Sequence, residues 1–284
     1  MIYSNTTAVL VGAFTAKLKS VKHIWHIHEI IESPKVFANF IGWAIKSLSH
    51  KTIAVSHAVK NHWDKVNSKD KDKIIVIHNG IEGEKIASGD KNIVRSELSI
   101  KEDEILIGMI GRVHYWKGQS YFLDLAEKIK MHIPKVKFLM VGDAFPGYEY
   151  LYDEINEKIK KLGLEEEVIQ LRFRQDIPDI FAALDIFILP SILPDPFPTV
   201  ILEAMHASKP IIATAQGGAM EMIENNSTGY HIPIEDADAA IEIILPILKN
   251  QNRREDFGVR GQQRVTQEFS VEKYAQKISS VLEI

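Results

Sequence analysis

Short apolar runs alternate with amphipathic segments of helical length along the whole chain. Ten runs of four to six residues are mostly apolar on both faces, and each is followed by a helical pattern. Strands of this kind are typical of parallel sheets covered by helices on both sides, so the pattern predicts an α/β protein. The predicted strands are Met1–Ser4, His23–Ile27, Thr52–Val55, Ile74–Ile77, Ile105–Ile110, Val136–Val141, Val168–Leu171, Ile186–Leu189, Pro210–Ala213 and Gly229–Ile232.

The predicted strands form two groups, which indicates two lobes. Residues 1–80 supply four strands, and residues from about 100 onward supply six, enough for a complete Rossmann-like lobe. Residues 78–90 contain three glycines and no periodicity, which predicts the inter-lobe linker. We therefore expect an N-terminal lobe over 1–85 and a C-terminal lobe over 86–284, with the last helix (about 271–284) able to pack back on the first lobe.

The first predicted strand begins at residue 1. Since one βα unit takes ~30 residues or more, we expect at least two units to be missing and the first lobe to be incomplete. An incomplete lobe predicts exposed apolar surface near Thr7–Leu18, self-association and weak catalysis.

Composition excludes several classes of protein. The 284 residues carry 34 Lys+Arg against 38 Asp+Glu, a net charge of −4, so no nucleic-acid partner is expected. The chain has no cysteine, which excludes disulfides and thiolate chemistry and fits a cytoplasmic location. Its apolar stretches are all shorter than the ~18 residues that cross a bilayer.

The common phosphate-loop motifs are missing from the sequence. Neither a GxGxxG fingerprint nor a Walker loop is present, which disfavours dehydrogenases and P-loop NTPases. The run Lys69–Lys73 places Asp70 and Asp72 at the spacing of some metal sites, but it is more simply a solvated turn. No metal site and no cofactor are expected.

The first candidate site is the loop Gly111–Gly118, with the sequence GRVHYWKG, directly after the strand Ile105–Ile110. Ligands of open α/β sheets bind at the carboxyl ends of strands. Arg112 and Lys117 are suited to a pyrophosphate there, the guanidinium by paired contacts and the ammonium as a point charge. The alternative is a surface loop with two solvated cations.

The second candidate site is the segment 190–214, where a proline-rich loop leads into a helix that opens near Pro198. The amides of Thr199 and Val200 would form an anion site at the helix N-terminus. Asp195 and Glu203 would accept hydrogen bonds from sugar and ribose hydroxyls. Alternatively, Asp195 caps the turn and Glu203 is an ordinary exposed helix residue.

These two segments together, in this order, resemble the retaining glycosyltransferases of family 4, which have the two-lobed GT-B fold. That family carries a Gly-Arg-x4-Lys-Gly loop and then an acid-x7-Glu motif. The surrounding frame is present as Pro190, Ser191, Pro196, Phe197, Glu203, Ala204, Met205, Pro210, Ala213 and Thr214. Further similar segments are VIHNGI (76–81), MVGD (140–143), ALDIFILPS (183–191) and Gly217-Gly218 followed by Glu221.

The resemblance implies roles for residues of the second lobe. Gly111, Arg112 and Lys117 would hold the donor diphosphate, and Glu203 would accept hydrogen bonds from the ribose. Asp195 stands where the family usually has Glu, contacting donor-sugar hydroxyls. Because Pro198 replaces a frequent Gly and lacks an N–H, Thr199 and Val200 must supply the amides.

The resemblance also assigns the base and one residue of the first lobe. Phe173 and Arg174, with Arg172 in place of a common Gly, would lie along the base. His28 matches a family histidine that faces the donor sugar, although a strand-end histidine is more often structural. It would donate to the sugar or the reacting centre.

The implied function is transfer of a sugar from a nucleotide-diphosphate sugar, UDP or GDP, to an acceptor hydroxyl with retention and without a metal. The acceptor would be a glycan or a lipid-linked molecule, in polysaccharide, lipopolysaccharide or glycolipid synthesis. The location would be cytoplasmic, with peripheral contact at the inner membrane face as a further expectation. The alternatives are a catalytically weak nucleotide-sugar-binding fragment and, on the same fold, an epimerase or a phosphorylase.

Overall fold

The computed structural model describes residues 1–66 and 73–282, and its strands form two parallel sheets. Asp70 and Asp72 lie outside the described residues. The strands are β1 (Ile2–Ser4), β2 (His23–Ile27), β3 (Lys51–Ala54), β4 (Ile74–Val76), β5 (Ile105–Ile110), β6 (Val136–Val141), β7 (Val168–Leu171), β8 (Ile186–Leu189), β9 (Ile211–Thr214) and β10 (Gly229–Ile232). All ten predicted strands are confirmed, with boundaries that differ by one residue at most.

Helices follow most of the strands, as the alternating pattern predicts. They are α1 (Val11–Leu18), α2 (Lys35–Leu48), α3 (His57–Val66), α4 (Glu84–Ala87), α5 (Lys91–Glu97), α6 (Gln119–His132), α7 (Tyr150–Leu162), α8 (Ile177–Ala183), α9 (Thr199–His206), α10 (Ala219–Met222), α11 (Ala237–Leu248), α12 (Gln251–Glu268) and α13 (Val271–Leu282). Ser56 caps the start of α3, since its hydroxyl accepts from the Val59 amide at 3.1 Å. No helix in the described ranges is long and apolar enough to cross a membrane.

The first compact unit comprises Met1–Gly80, Pro194–Pro198 and Val271–Ile284. Its four parallel strands lie in the order β1-β2-β3-β4. Helix α13 packs on this sheet, where Tyr274, Ile278 and Val281 contact a small core that includes Ile24 and Ile53.

The second compact unit comprises Ile81–Leu193 and Thr199–Ser270. Its six parallel strands lie in the order β10-β9-β8-β5-β6-β7. From β5 the sheet grows through β6 to β7 on one side, and the chain then returns to place β8 on the other side of β5. The strand order therefore reverses between β5 and β8.

The two compact units divide within the expected linker segment 78–90. The division falls after Gly80, and the residues from Ile81 to Leu193 belong to the second unit. A Cβ on Gly83 would lie 1.9 Å from the His206 ring, and one on Gly89 would lie 2.0 Å from the carbonyl oxygen of Pro178. These glycines permit close packing, so this segment is not a loose connection.

Candidate functional site

The loops that follow β5 and β8 flank the point where the strand order of the second sheet reverses. Neighbouring loops diverge at such a point, because the chain leaves the two strands toward opposite sides of the sheet, and the crevice between them is where open α/β sheets bind ligands. The two segments selected from the sequence, Gly111–Gly118 and the one beginning at Pro190, are these two loops.

Backbone contacts hold the two loops close together. The Ile192 amide donates to the Trp116 carbonyl at 2.9 Å. Gly118 has φ +80°, and a Cβ at this position would lie 1.9 Å from the Pro190 carbonyl oxygen. Only glycine suits both the left-handed backbone and this approach, so Gly118 sets the spacing of the two loops.

Gly111 is not required by packing or by backbone conformation. A Cβ there would meet no atom within 4 Å, and Gly111 is not among the glycines with positive φ. The space beside its Cα is open. A glycine that the fold does not need, at the carboxyl end of β5, leaves room for a ligand to approach the backbone.

The two cations of this loop lie against aromatic rings. The guanidinium carbon of Arg112 is 3.5 Å from the centroid of the Phe145 ring, and the Lys117 ammonium is 4.3 Å from that of Trp116. The Arg112 guanidinium forms no ion pair with a carboxylate in the described part of the chain. The rings orient both charges and leave the hydrogen-bond donors of Arg112 for an anion.

His114, between the two cations, reports the electrostatic potential of the loop. Burial lowers the pKa of its imidazole, and the positive charges of Arg112 and Lys117 lower that pKa further. Both cations therefore act on the same point of the loop. Such a concentration of positive charge favours an anion, and a diphosphate carries enough charge to be held there.

Glu203 lies on α9, the helix that follows the β8 loop. Burial raises the pKa of its carboxyl group, and no opposing cause offsets that effect. Among the described residues, none donates a hydrogen bond to this carboxylate. A half-buried acceptor without a donor is suited to ligand hydroxyls, and the free amides of Thr199 and Val200 open the same helix.

Asp195 is 8% exposed and lies on Pro194–Pro198, which belongs to the first unit. Two contacts attach this segment to that unit. The Ser56 hydroxyl donates to the Pro196 carbonyl at 2.6 Å, and the Phe197 ring stacks on His78 at 5.3 Å between centroids. The sequence singles out neither Ser56 nor His78 as a contact of this segment, because both lie more than 100 residues away along the chain.

A cavity of about 200 Å³ opens at the carboxyl ends of β5, β6 and β7, and Gly111, Tyr152 and Arg172 line it. The Arg172 guanidinium carbon lies 3.4 Å from the centroid of the Tyr152 ring. The Tyr152 hydroxyl donates to Asp143 and is the main cause that lowers the pKa of that carboxyl group. Asp143 also accepts from the Phe173 amide at 3.2 Å, while the Phe173 ring is 68% exposed.

The Arg174 side chain, which the resemblance places along a base, makes ion pairs within the protein. Its guanidinium donates to both oxygens of Glu97 at 2.6 and 2.8 Å. It also donates to both oxygens of Asp176 at 2.8 and 2.6 Å. Through these two carboxylates the Arg174 side chain connects α5 to the start of α8.

His28 lies in the first unit, just after the carboxyl end of β2. Its Nε2 donates to the Asn5 side-chain oxygen at 2.9 Å. Its ring centroid is 4.4 Å from that of the buried His26. Burial lowers the pKa of His28, and the nearby charge of Glu29 partly opposes that shift. The ring is therefore held as a neutral imidazole with a defined tautomer.

Asn5 was not identified from the sequence, although the signal is present. It follows β1 directly, as His28 follows β2, and β1 pairs with β2. Polar residues at the carboxyl ends of adjacent parallel strands meet at one edge of a sheet. Applied to every strand, this rule would have selected Asn5.

The chain matches two models of protein families. The family model described as "Glycosyl transferases group 1" matches residues 90–264, and the model "Glycosyltransferase Family 4" matches residues 2–85. The first match covers more than half of the chain. The chain therefore belongs to the group 1 glycosyl transferases, which confirms the resemblance drawn from its motifs.

Solved structures show the same fold. Anabaena HepE in complex with UDP has a TM-score of 0.91 and 29% identity, covering 99% of this chain and 78% of that one. HepE has also been solved with UDP-glucose. The expected α/β architecture with two Rossmann-like lobes of the GT-B type is thus confirmed.

The chain is also similar to curated glycosyltransferases. The lipopolysaccharide core biosynthesis mannosyltransferase LpsB of Rhizobium meliloti (strain 1021) is 26% identical, over 68% of this chain and 56% of the relative. A UDP-Gal:alpha-D-GlcNAc-diphosphoundecaprenol alpha-1,3-galactosyltransferase of Escherichia coli is 31% identical, over 62% of this chain and 45% of the relative. The chain thus spans about half the length of these relatives.

Proposed function

We propose that the protein transfers a glycosyl group from a nucleotide-diphosphate sugar to an acceptor hydroxyl, with retention of the anomeric configuration. The observation that carries this proposal is the crevice between the β5 and β8 loops. It combines two oriented cations, an open glycine backbone, a helix N-terminus and a carboxylate without a donor. The first three suit a diphosphate and the last suits a ribose.

We propose UDP as the nucleotide, with GDP as the alternative to be tested beside it. The support is the similarity to HepE, whose structures contain UDP and UDP-glucose. The exposed ring of Phe173 and the cavity beside Arg172 offer a place for the base. The backbone of residues 172–174, not the Arg174 side chain, would contact it.

The proposed acceptor is a glycan or a lipid-linked glycan. Its support is the nature of the relatives, one of which is named for lipopolysaccharide core synthesis and one for a diphosphoundecaprenol acceptor. Peripheral contact with the inner face of a membrane belongs to the same proposal. An acceptor of this kind would be presented at a bilayer surface.

The chemistry would be driven by stabilisation of the departing diphosphate. The bond from the anomeric carbon to the β-phosphate oxygen breaks, and a bond from the same carbon to the acceptor oxygen forms on the same face. The acceptor proton is transferred to the released diphosphate. Arg112, Lys117 and the first amides of α9 neutralise the charge that develops, so no metal is required.

Two residues of the first unit would act on the donor sugar. His28 would donate to the sugar or to the reacting centre, and Asp195 would accept from sugar hydroxyls. His28 is half-buried and is held by its hydrogen bond to Asn5. Asp195 is buried, and its segment is held by the hydrogen bond from Ser56 to Pro196. Catalysis would thus come from positioning and electrostatic stabilisation, without a covalent protein intermediate.

The experiment is a screen of UDP-, GDP- and ADP-sugars by thermal stabilisation, followed by product analysis. A ligand at 100 times its dissociation constant stabilises the folded state by about 2.7 kcal/mol, a shift that melting curves detect. The proposal predicts stabilisation by UDP-sugars and an acceptor product with the donor's anomeric configuration in an NMR spectrum. Turnover that persists in EDTA would support metal independence, and an isomerised nucleotide sugar without acceptor product would indicate an epimerase.

A further inference from the structure

A group of aromatic rings lies beside the proposed diphosphate loop, within the second unit. The centroid of the His114 ring is 4.5 Å from that of Tyr115 and 5.5 Å from that of Tyr148. The rings of Tyr148 and Tyr150 stack, with centroids 6.1 Å apart and planes inclined by 30°. We call these four side chains the aromatic cluster. It begins on the loop Gly111–Gly118 and continues onto the start of α7.

Backbone contacts hold the two loops that carry the aromatic cluster. The Tyr148 amide donates to the Phe145 carbonyl at 2.9 Å and closes a four-residue turn, in which Gly147 has φ +90°. Proline followed by glycine at the central positions is typical of such a turn. The Val113 amide donates to the Asp143 carbonyl at 2.9 Å, which joins the loop after β6 to the loop after β5. The positions of the rings are therefore set by the backbone.

The rings of the aromatic cluster are open to solvent. Tyr115 is 60% exposed, Tyr150 53% and Tyr148 39%. Among the residues that the structure describes, none forms a hydrogen bond with the hydroxyl group of any of these three tyrosines. Exposed aromatic side chains in a group mark a binding surface, and tyrosine offers an apolar ring together with a polar end.

A cavity of about 190 Å³ adjoins the aromatic cluster, between the loop after β5 and α7. His114, Tyr115, Leu151 and Ile192 line it, together with Glu154, which forms no ion pair within the described ranges. Apolar walls with a few polar groups are typical of sites for small molecules. The volume is below the ~300–1,000 Å³ of sites that enclose a drug-sized ligand, so the cavity suits a single sugar ring.

We propose that the aromatic cluster and this cavity bind the sugar rings of the acceptor glycan. The apolar face of a sugar ring packs on an aromatic ring, and its hydroxyls pair with the tyrosine hydroxyls and the Glu154 carboxylate. This inference rests on the proposed function and deepens it, because several adjacent rings suit an acceptor of two or more sugars. The bound glycan would lie next to the proposed diphosphate site.

A second copy of the chain is the competing occupant, and the polar groups argue against it. Burial of three tyrosine hydroxyls and the Glu154 carboxylate in a protein interface is costly unless each group finds a partner there. The hydroxyls around a sugar ring offer both donors and acceptors. A glycan therefore satisfies these groups while its ring covers the apolar surface.

The test is binding of the whole chain, with saturating UDP, to an array of immobilised bacterial monosaccharides, disaccharides and longer glycans. We expect binding to a group of glycans with two or more sugars. Tyr148→Ser with Tyr150→Ser should weaken this binding at least about tenfold, because two ring contacts are lost. The melting temperature should change little, since both side chains are exposed. Tyr148→Phe with Tyr150→Phe keeps both rings and should retain most of the affinity.

Two further variants complete the test. Glu154→Gln should weaken glycan binding about tenfold, because a charged acceptor of hydrogen bonds is lost. The matched control is Met131→Ser with Val259→Ser, which removes two exposed apolar side chains from other parts of the second unit. This control should bind glycans as the unchanged chain does. All of these variants should bind UDP with unchanged affinity in a calorimetric titration.

The UDP titration separates failure of this inference from failure of the proposed function. A chain that binds UDP but no glycan, or whose glycan binding survives Tyr148→Ser with Tyr150→Ser, would overturn the inference alone. A chain that does not bind UDP would contradict the proposed function as well. Loss of UDP affinity in the tyrosine variant would instead assign the aromatic cluster to the base. A dimer that this variant dissolves, in a chain that binds no glycan, would assign it to a second copy.

Discussion

The imidazole Nε2 of His28 donates a hydrogen bond to the Asn5 side-chain oxygen, at 2.9 Å. Because a carbonyl oxygen only accepts, Nε2 carries the proton, and Nδ1 of the neutral ring is the acceptor. Asn5 thus sets the tautomer of the histidine proposed to act on the donor sugar. The pairing follows from the fold, since β1 and β2 are adjacent and both residues lie at the carboxyl ends of these strands.

Asn5→Ala should remove the hydrogen bond that sets the tautomer of His28. We expect the two tautomers of His28 to become mixed, which ¹⁵N chemical shifts of the imidazole report. Turnover should fall by about twofold to tenfold, the effect of one neutral hydrogen bond, while KM for the donor changes little. Asn5→Asp keeps the acceptor and should restore the tautomer. Unchanged nitrogen shifts in Asn5→Ala would show that Asn5 does not orient the ring.

Lys117→Ala should lower turnover by about 10²-fold or more, as the loss of a preorganised charge at a developing anion does. The fold should change little, because the ammonium lies over the Trp116 ring near the surface of the loop. The measurement is kcat with a saturating donor, beside a melting curve. An unimpaired kcat would remove Lys117 from the proposed diphosphate site.

Glu203→Gln should separate binding from stability. Since burial raises the pKa of Glu203, its ionisation destabilises the folded state as pH rises through that pKa. At neutral pH the amide should therefore leave the unliganded melting temperature unchanged or raise it. Donor affinity should fall by about tenfold to a hundredfold, because charge-assisted bonds to the ribose are lost. A large loss of unliganded stability would instead mark Glu203 as structural.

Gly118→Ala and Gly111→Ala form a matched pair on the same loop. The first introduces a Cβ 1.9 Å from the Pro190 carbonyl at φ +80°, and should destabilise the fold by about 1–3 kcal/mol. The second places a methyl group in open space, so the melting temperature should not change. It should nevertheless weaken donor binding, because the proposed diphosphate site occupies that space. Equal donor affinity in Gly111→Ala would show that the ligand lies elsewhere.

The buried histidine His26 predicts sensitivity to acid. Burial, with the charge of His28 as the second cause, lowers the pKa of His26 to about 3. Between pH 6.5 and about pH 3 the His26 imidazole is therefore protonated in the unfolded chain and neutral in the folded chain. As the pH is lowered through this range, His26 should decrease the free energy of unfolding by up to about 1.4 kcal/mol for each pH unit. The melting temperature of His26→Gln should depend less on pH than that of the unchanged chain. The control is His50→Gln, at an exposed position, and its melting temperatures should equal those of the unchanged chain.

The sequence located the strands because each is a continuous apolar run bounded by polar or turn residues. It also located the two loops of the crevice, since both follow such runs directly. It could not identify contacts between residues that are distant along the chain. Arg174 meets Glu97 across 77 positions of the chain, and nothing local distinguishes that pairing from exposure to a nucleotide.

Two glycines also have contacts with distant residues that the local sequence does not reveal. The glycines at 83 and 89 suggest flexibility when only neighbours are considered, yet both permit close packing against His206 and Pro178. In the same way, the proline-rich loop was expected to belong wholly with the second lobe. Its central residues, Pro194–Pro198, cluster with the first unit, because Ser56 and His78 hold them there.

Calorimetric titration of UDP and of uridine into the unchanged chain and into Lys117→Ala tests the central claim most directly. That claim is that the crevice between the β5 and β8 loops holds a diphosphate. We predict that UDP binds the unchanged chain much more tightly than uridine does, and that Lys117→Ala loses most of this difference while its affinity for uridine is kept. Equal affinities for UDP and uridine in the unchanged chain, or an undiminished preference for UDP in Lys117→Ala, would contradict it.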